Sequence, residues 1–265
     1  MKRAAERAAY GAWAVVLALI VPAIAFSGEI PRAERRSGYS FMSPELKAMQ
    51  DDRTANPGML GVLEGETLWK EKSGAADKSC ADCHRDARKS MKGVAARYPA
   101  FDRARGKPVD LEQRINICRN ERQRASPLAF ESRELLALTA YVAAQSNRSK
   151  IAPPDDKRLV PFRKSGQDMF NLRQGQLNLS CAQCHNDNWR GRLAGSAITQ
   201  AHPTGYPLYR LEWQSLGSLQ RRLRNCLIGM RAEPFEYGAP EYVDLELYLM
   251  WRGRGMPLEA PAVRP

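Results

Sequence analysis

Cysteine and histidine are scarce in the chain, with six cysteines and three histidines among 265 residues. Beyond its first 25 residues it lacks any apolar run of the roughly 20 residues that a membrane-spanning helix needs. No βαβ pattern surrounds its two C-x-x-C pairs, which argues against a thioredoxin-like redox site. Neither pair is accompanied by a second close pair, which argues against structural zinc.

Two pentapeptides carry the strongest chemical signal. Cys80 to His84 (CADCH) and Cys181 to His185 (CAQCH) both match C-x-x-C-H. In this motif two thiols bond to the vinyl groups of one haem, and the adjacent histidine reaches the iron. The sequence therefore predicts two haem c groups, held covalently by Cys80, Cys83, Cys181 and Cys184 and ligated by His84 and His185.

The N-terminus has the pattern of a secretory leader. Three cations within the first seven residues precede an apolar stretch that ends in the cleavage signal Ala23-Ile24-Ala25. Residues 1–25 are predicted to be a signal peptide, and its apolar core is too short for a membrane anchor. Because haem is attached to c-type cytochromes outside the bacterial cytoplasm, we expect a periplasmic mature protein with no membrane segment.

Acidic residues are outnumbered, with 29 Asp and Glu against 41 Lys and Arg. Removal of the leader lowers the formal net charge only from +12 to +10. Nucleic acid is not an expected partner outside the cytoplasm. The charge is instead predicted to steer an acidic protein or a small anion to the surface, and partly to balance haem propionates.

An internal duplication organises the chain. Gly65, Gly74 and Cys80 recur 101 positions later as Gly166, Gly175 and Cys181, and the run from Leu111 to Cys118 recurs 108 positions later as Leu219 to Cys226. Each unit closes with an amphipathic helical pattern, around Leu138 and around Leu245. The predicted fold is all-α, with two class I cytochrome c-like domains related by duplication.

The predicted boundaries follow from this repeat and from composition. An N-terminal extension covers residues 26–58 and includes a helix beginning at Ser43 and Pro44. The first haem domain covers 59–150, a proline-rich linker 151–162, and the second haem domain 163–265. In the class I cytochrome c arrangement that each unit resembles, Trp69 and Phe170 would pack where the terminal helices cross.

The residue opposite each haem histidine decides the function. Met91, Met230, Met256 and His202 are possible ligands, but none occurs at equivalent places in both halves. Cys118 and Cys226 do, and we favour them as axial thiolates. Two alternatives stay open at this point: a disulfide between Cys118 and Cys226, which would require their Cα atoms within about 7 Å, and methionine ligation beside two free cysteines.

The residues before Cys226 are strongly basic. If the run from Gln220 to Cys226 is helical, Arg222 shares a face with the sulfur and would favour its thiolate and attract an anion. Arg221 and Arg224 are better interpreted as partners of haem propionates or as a solvated face. Arg114 stands at the same place before Cys118.

The second half resembles the SoxA family, the A subunits of SoxAX cytochromes. The resemblance rests on the run from Pro203 to Trp213, on Arg222 to Cys226, and on Gly229 to Phe235, and it extends over the mature chain. The chain retains every residue of both haem sites and so resembles the dihaem type. The resemblance implies an L-cysteine S-thiosulfotransferase that joins thiosulfate oxidatively to the carrier cysteine of SoxYZ.

The resemblance also implies roles and partners. Cys226 would be an axial iron ligand and carry the catalytic persulfide, Arg222 would bind substrate, and Cys118 would ligate the first haem. A SoxX-type monohaem cytochrome would complete a heterodimer, and cytochrome c would accept the electrons. The competing functions are a dihaem electron carrier without chemistry of its own, a tetrathionate-forming thiosulfate dehydrogenase, and a peroxidase.

Overall fold

Helices dominate residues 29–265, the part of the chain that the computed structural model describes; the predicted signal peptide lies outside the described residues. The α-helices are α1 Pro44–Asp51, α2 Gly58–Lys70, α3 Cys80–His84, α4 Ala87–Ser90, α5 Leu111–Cys118, α6 Arg133–Ala144, α7 Val160–Asn171, α8 Leu219–Gly229 and α9 Pro240–Arg252. Short 3-10 turns cover Arg32–Glu34, Gly38–Phe41, Ala95–Arg97 and Lys157–Leu159, and π turns cover Arg119–Gln123 and Gln183–Asp187. None of the described helices is long and apolar enough to cross a membrane.

The strands are short and connect the helices. They are β1 Ala100–Asp102, β2 Lys107–Val109, β3 Arg192–Leu193, β4 Ser196–Ala197, β5 Leu208–Arg210, β6 Ser215–Gly217 and β7 Val263–Arg264. β1 pairs with β2, β3 with β4, and β5 with β6, all antiparallel, while β7 adds to β5 in parallel. The predicted helix-dominated class is confirmed, with these hairpins as additions.

Each half is built on one pair of crossing helices, α2 with α6 and α7 with α9. At the crossing points a Cβ on Gly65 would collide with the Ala137 carbonyl, and a Cβ on Gly166 would collide with the Asp244 carbonyl. Glycine is needed at both places because only a residue without a side chain permits this backbone approach. The repeated glycines are therefore explained by helix packing.

Aromatic rings fill the same crossings. Trp69 and Tyr141 have ring centroids 5.8 Å apart in the first half, and Phe170 and Tyr248 lie 5.4 Å apart in the second. Trp69 and Phe170 are buried, as the resemblance to class I cytochromes c implied. Full burial of such rings contributes on the order of 1.5–3 kcal/mol each.

The extension and the predicted linker pack against the two halves. α1 begins where the sequence predicted, with Ser43 Oγ accepting a hydrogen bond from the Leu46 amide at 3.4 Å. Ile151, at the start of the predicted linker, is 1% exposed and packs with Met250 and Leu258. α7 begins at Val160, within the predicted linker.

Buried carboxyls lie between the two halves. Asp110 caps α5 and accepts a hydrogen bond from Gln220 Nε2, on α8, at 2.9 Å. Burial raises the pKa of Asp110 to about 6. Burial, and then the charge of Asp110, also raise the pKa of Glu112 on α5 and of Glu246 on α9. Packing of the two halves therefore shifts the protonation equilibrium of all three carboxyls toward the protonated form.

Replacing Glu246 with glutamine is expected to stabilise the protein at high pH only. A carboxyl with a raised folded-state pKa contributes stability at low pH that is lost as pH rises through that pKa. One pKa unit corresponds to about 1.4 kcal/mol, so the Tm should rise by several degrees at pH 8 and be unchanged at pH 4. Calorimetry of the haem-loaded protein measures this, with exposed Glu134→Gln as control, and an equal shift at both pH values would contradict it.

Candidate active site

Helix α8 carries the two residues singled out in the second half. Ser218 Oγ accepts a hydrogen bond from the Arg221 amide at 3.1 Å and fixes the start of the helix. Arg222 and Cys226 then follow one turn apart, so their side chains leave the helix on the same face. The run from Gln220 to Cys226 is helical, which was the condition for Arg222 and Cys226 to share a face.

Cys226 lies near the C-x-x-C cysteines of its own half. Burial, with a smaller effect of the Cys226 sulfur, raises the pKa of Cys181 to about 12 and also raises that of Cys184. All six cysteines are free, including Cys118. The structure therefore disagrees with a disulfide between Cys118 and Cys226.

The first half repeats this arrangement. Burial raises the pKa of Cys80 to about 11, with a smaller effect of the neighbouring Cys118 sulfur. Burial also raises the pKa of Cys118, although the Arg114 guanidinium lowers it. Cys118 further lies close enough to Cys83 for their charges to interact. Each lone cysteine thus lies beside the C-x-x-C pair of the same half.

His185 is held in the tautomer that iron ligation requires. Its Nδ1 lies 2.6 Å from the Thr199 carbonyl oxygen. Because a carbonyl only accepts, Nδ1 carries the proton and Nε2 keeps its lone pair. Burial lowers the pKa of His185 to about 4, so the ring is neutral at physiological pH. A neutral imidazole with a free Nε2 is the form that ligates a metal.

His84 has a different setting. It is exposed, and its ring centroid lies 5.7 Å from that of Trp69. Trp69 Nε1 donates a hydrogen bond to the Arg85 carbonyl at 3.1 Å, which ties the end of the motif helix to the helix crossing. His84 is therefore positioned from α2, whereas His185 is positioned by the loop that carries Thr199.

The surroundings of the buried Arg252 show whether the second half can accommodate a haem. Its side chain is 0% exposed, and within residues 29–265 its Nε and Nη1 have no hydrogen-bond partner. Only Nη2 is bonded, to the Gln200 carbonyl at 3.2 Å. The guanidinium lies near enough to Cys181 and His185 to affect their pKa values. A buried cation requires an anion, and a haem propionate beside Cys181 would supply one; the residues present fit haem c.

The other ligand candidates lie in apolar clusters or beside Arg252. Met91 is buried with Trp69 and Tyr141, and Met230 with Leu227 and Tyr242. Met256 packs at the edge of the cluster around Met250. His202 is buried close to Arg252, and burial, followed by the charge of Arg252, lowers its pKa to about 3. Met91 and Met230 thus have apolar packing roles in the described structure.

Tyr206 and Arg210 also lie near Cys226, although the sequence did not mark either residue as functional. The charges of Arg222 and Cys226 both affect the pKa of Tyr206, which burial raises. They also affect the pKa of Arg210, which burial lowers. At the 108-position offset Tyr206 corresponds to Tyr98. Burial raises the pKa of Tyr98 and the charge of Arg114 lowers it, as burial and Arg222 do for Tyr206.

Comparison with known proteins agrees with this geometry. A family model described as the SoxA/TsdA cytochrome c domain matches residues 64–151 and again 165–258. The L-cysteine S-thiosulfotransferase subunit SoxA of Pseudaminobacter salicylatoxidans is 37% identical over 88% of this chain and 82% of its own length. The subunit of that name from Rhodovulum sulfidophilum is 34% identical over 87% and 80%, respectively.

A solved structure extends the likeness to three dimensions. The crystal structure of SoxXA from P. pantotrophus contains a chain with a TM-score of 0.84 and 30% sequence identity, with 87% of each chain covered. The two matched segments correspond to the two halves built on α2 with α6 and on α7 with α9. With its C-x-x-C-H motifs in these cytochrome c domains, the chain belongs to the SoxA family of haem c proteins.

Proposed function

We propose that this chain is the dihaem cytochrome subunit of a periplasmic thiosulfate-oxidising complex. It would couple thiosulfate oxidatively to the carrier cysteine of SoxYZ and pass the electrons to cytochrome c. One observation carries the proposal: Arg222 and Cys226 share a face of α8 that lies against Cys181, Cys184 and His185. This brings a cation and a sulfur nucleophile to the haem-attachment motif of the second half.

The residues around the haem groups have defined roles in this proposal. Cys80 and Cys83 would hold one haem, and Cys181 and Cys184 the other. His84 and Cys118 would ligate the first iron, and His185 and Cys226 the second. A haem c group accepts and passes on electrons one at a time, and thiolate ligation favours its ferric state.

Cys226 is the catalytic residue, acting as a persulfide. In the first step its terminal sulfur bonds to the outer sulfur of thiosulfate, and two electrons are removed. In the second step the thiolate of the carrier cysteine attacks that outer sulfur and displaces the Cys226 persulfide. The net reaction forms one S–S bond on the carrier, releases the thiol proton and delivers two electrons to the acceptor.

Arg222 binds the substrate. Thiosulfate is a dianion, and its approach to an anionic sulfur is opposed by charge repulsion that a neighbouring guanidinium offsets. Burial keeps the nearby His185 neutral, so this residue adds no further charge to the site. Partial burial of Arg222 and Cys226 strengthens these electrostatic effects.

A SoxX-type monohaem cytochrome is the proposed heterodimer partner. Its haem would receive electrons that a thiolate-ligated haem of low potential passes on readily. The solved relative is named as a SoxXA structure. The net charge of +10 that remains after leader removal supports docking of an acidic carrier protein.

Turnover with and without a carrier tests the function. The haem-loaded complex should consume thiosulfate and reduce cytochrome c only when SoxYZ is present. Consumption without the carrier, with tetrathionate as product, would instead identify a thiosulfate dehydrogenase. Electron transfer with no thiosulfate consumed would identify a plain carrier, and peroxide consumption a peroxidase.

Replacing Cys118 with serine is expected to change one haem and spare most of the activity. Cys118 lies beside Cys80 and Cys83, in the half that does not contain Cys226. Low-temperature EPR of the ferric protein should show two low-spin histidine/thiolate signals in the wild type and the loss of one in the variant. Loss of turnover would give the first haem a functional part and contradict this prediction.

A further inference from the structure

The internal duplication allows the catalytic half to be compared with the other half residue by residue. β1, β2 and α5 of the first half correspond to β5, β6 and α8 of the second. At an offset of 108 positions Cys118 corresponds to Cys226 and Arg114 to Arg222. The last residue of β1, Asp102, corresponds to the last residue of β5, Arg210. A carboxylate in one half is thus a guanidinium in the other.

In the first half the arginine before the cysteine is neutralised. Arg114 Nη2 lies 2.6 Å from Oδ2 of Asp102, whose side chain is only 5% exposed. Arg105 Nη1 lies 3.6 Å from the same oxygen. The guanidinium of Arg114 therefore has an internal counter-ion and does not need an external anion.

In the second half the position that corresponds to Asp102 is occupied by a cation, Arg210. Arg210 has a side chain that is 14% exposed, and its pKa is lowered by burial and then by the charge of Arg222. Its ion-pair partner is Glu212, with Nε and Oε2 2.9 Å apart, and that carboxylate is 63% exposed. Among the ion pairs of residues 29–265, none includes Arg222. Of the two guanidiniums beside Cys226, Arg210 is thus paired only with a solvated carboxylate, and Arg222 has no ion pair among the described residues.

Arg210 is held in this place by an aromatic ring. Its guanidinium carbon lies 5.4 Å from the ring centroid of Trp213, whose other neighbour is Arg221 at 4.4 Å. Cation–π contacts of this kind fix a guanidinium without neutralising it. The positive charge of Arg210 therefore remains available to a ligand.

We infer that Arg210 and Arg222 together bind the sulfonate group of thiosulfate, with the outer sulfur directed at Cys226. The inference rests on the proposed function and adds a second substrate-binding residue to it. Two partly buried cations repel one another unless an anion lies between them, and paired guanidiniums are suited to the oxygens of a sulfonate. The ion pair of Asp102 and Arg114 explains why the first half has no such site.

The most direct test rebuilds the first-half ion pair in the second half. Arg210→Asp places a carboxylate where it can neutralise Arg222, as Asp102 does Arg114. Calorimetric titration of thiosulfate into the ferric haem-loaded complex, without carrier, should show a Kd raised by about ten- to a hundredfold. Arg210→Lys should lose less because it keeps the charge, and Arg173→Asp, an equal charge change at an exposed site, should bind like the wild type.

Other outcomes separate this inference from the proposed function. Wild-type affinity in Arg210→Asp, with weakened binding in Arg222→Ala, would overturn the role of Arg210 alone. A shifted reduction potential of the second haem with unchanged Kd would show that Arg210 serves a propionate, which also overturns it. Absence of carrier-dependent turnover in the wild type would overturn the proposed function itself. If Arg210→Asp loses haem, Arg210→Gln decides by the same Kd comparison.

Discussion

Replacing Cys226 with serine is expected to abolish the coupling of thiosulfate to the carrier cysteine. Serine is close in size to cysteine, so the fold of α8 should be kept, but its oxygen can neither form a persulfide nor donate to iron as a thiolate does. The second low-spin histidine/thiolate EPR signal should disappear together with turnover. Carrier-dependent cytochrome c reduction and EPR of the ferric protein measure the two effects.

The matched control is the same substitution in the other half. Cys118→Ser removes a thiol from the equivalent position of α5, beside Cys80 and Cys83, and should leave most of the turnover. If the Cys226→Ser protein still modified the carrier at the wild-type rate, the sulfur of Cys226 would have no part in the mechanism. Equal losses in both variants would point to a structural role for the two cysteines.

Replacing Arg222 with alanine is also expected to cause a large loss of activity toward thiosulfate. The variant should keep both haems, because neither the covalent cysteines nor the histidines are altered. It should lose about ten- to a hundredfold in kcat/KM for thiosulfate, the range expected when a hydrogen-bonded charge partner of a bound anion is removed. Steady-state rates at several thiosulfate concentrations, with haem content measured on the same sample, provide the test.

Arg224→Ala is the control for this variant. Arg224 lies on the same helix, but its guanidinium carbon stacks 4.6 Å from the Tyr237 ring centroid. Its removal should leave the affinity for thiosulfate unchanged. Wild-type kinetics in Arg222→Ala would eliminate its substrate role, and similar losses in both variants would indicate that only the overall basic charge of α8 matters.

Much of the fold follows from local patterns in the sequence. Gly65 and Gly166 mark where helices cross because close backbone approach tolerates no side chain, and a repeat of such glycines is visible without coordinates. The caps at Ser43 and Ser218 likewise fix helix starts through short-range hydrogen bonds. The cysteine and histidine spacing of each motif is set by the dimensions of haem.

The parts that could not be predicted depend on distant residues. Asp110 and Glu246 are far apart in sequence, and only the packing of the two halves raises both of their pKa values. In the sequence Arg252 looks like one of the basic residues that commonly end a helix. In the structure it is fully buried beside His185. The exchange of Asp102 for Arg210 is present in the sequence, but its meaning depends on the contacts of Arg114 and Arg222.

The mass of the peptide that carries the SoxYZ cysteine, determined after turnover, is the sharpest test of the proposed function. The haem-loaded complex with its small cytochrome partner is incubated with thiosulfate, SoxYZ and oxidised cytochrome c, and the carrier peptide is analysed by mass spectrometry. We expect a thiosulfate adduct on that cysteine, with two cytochrome c reduced for each adduct and no adduct formed by Cys226→Ser. An unmodified carrier, with thiosulfate converted to tetrathionate or left unchanged, would contradict it.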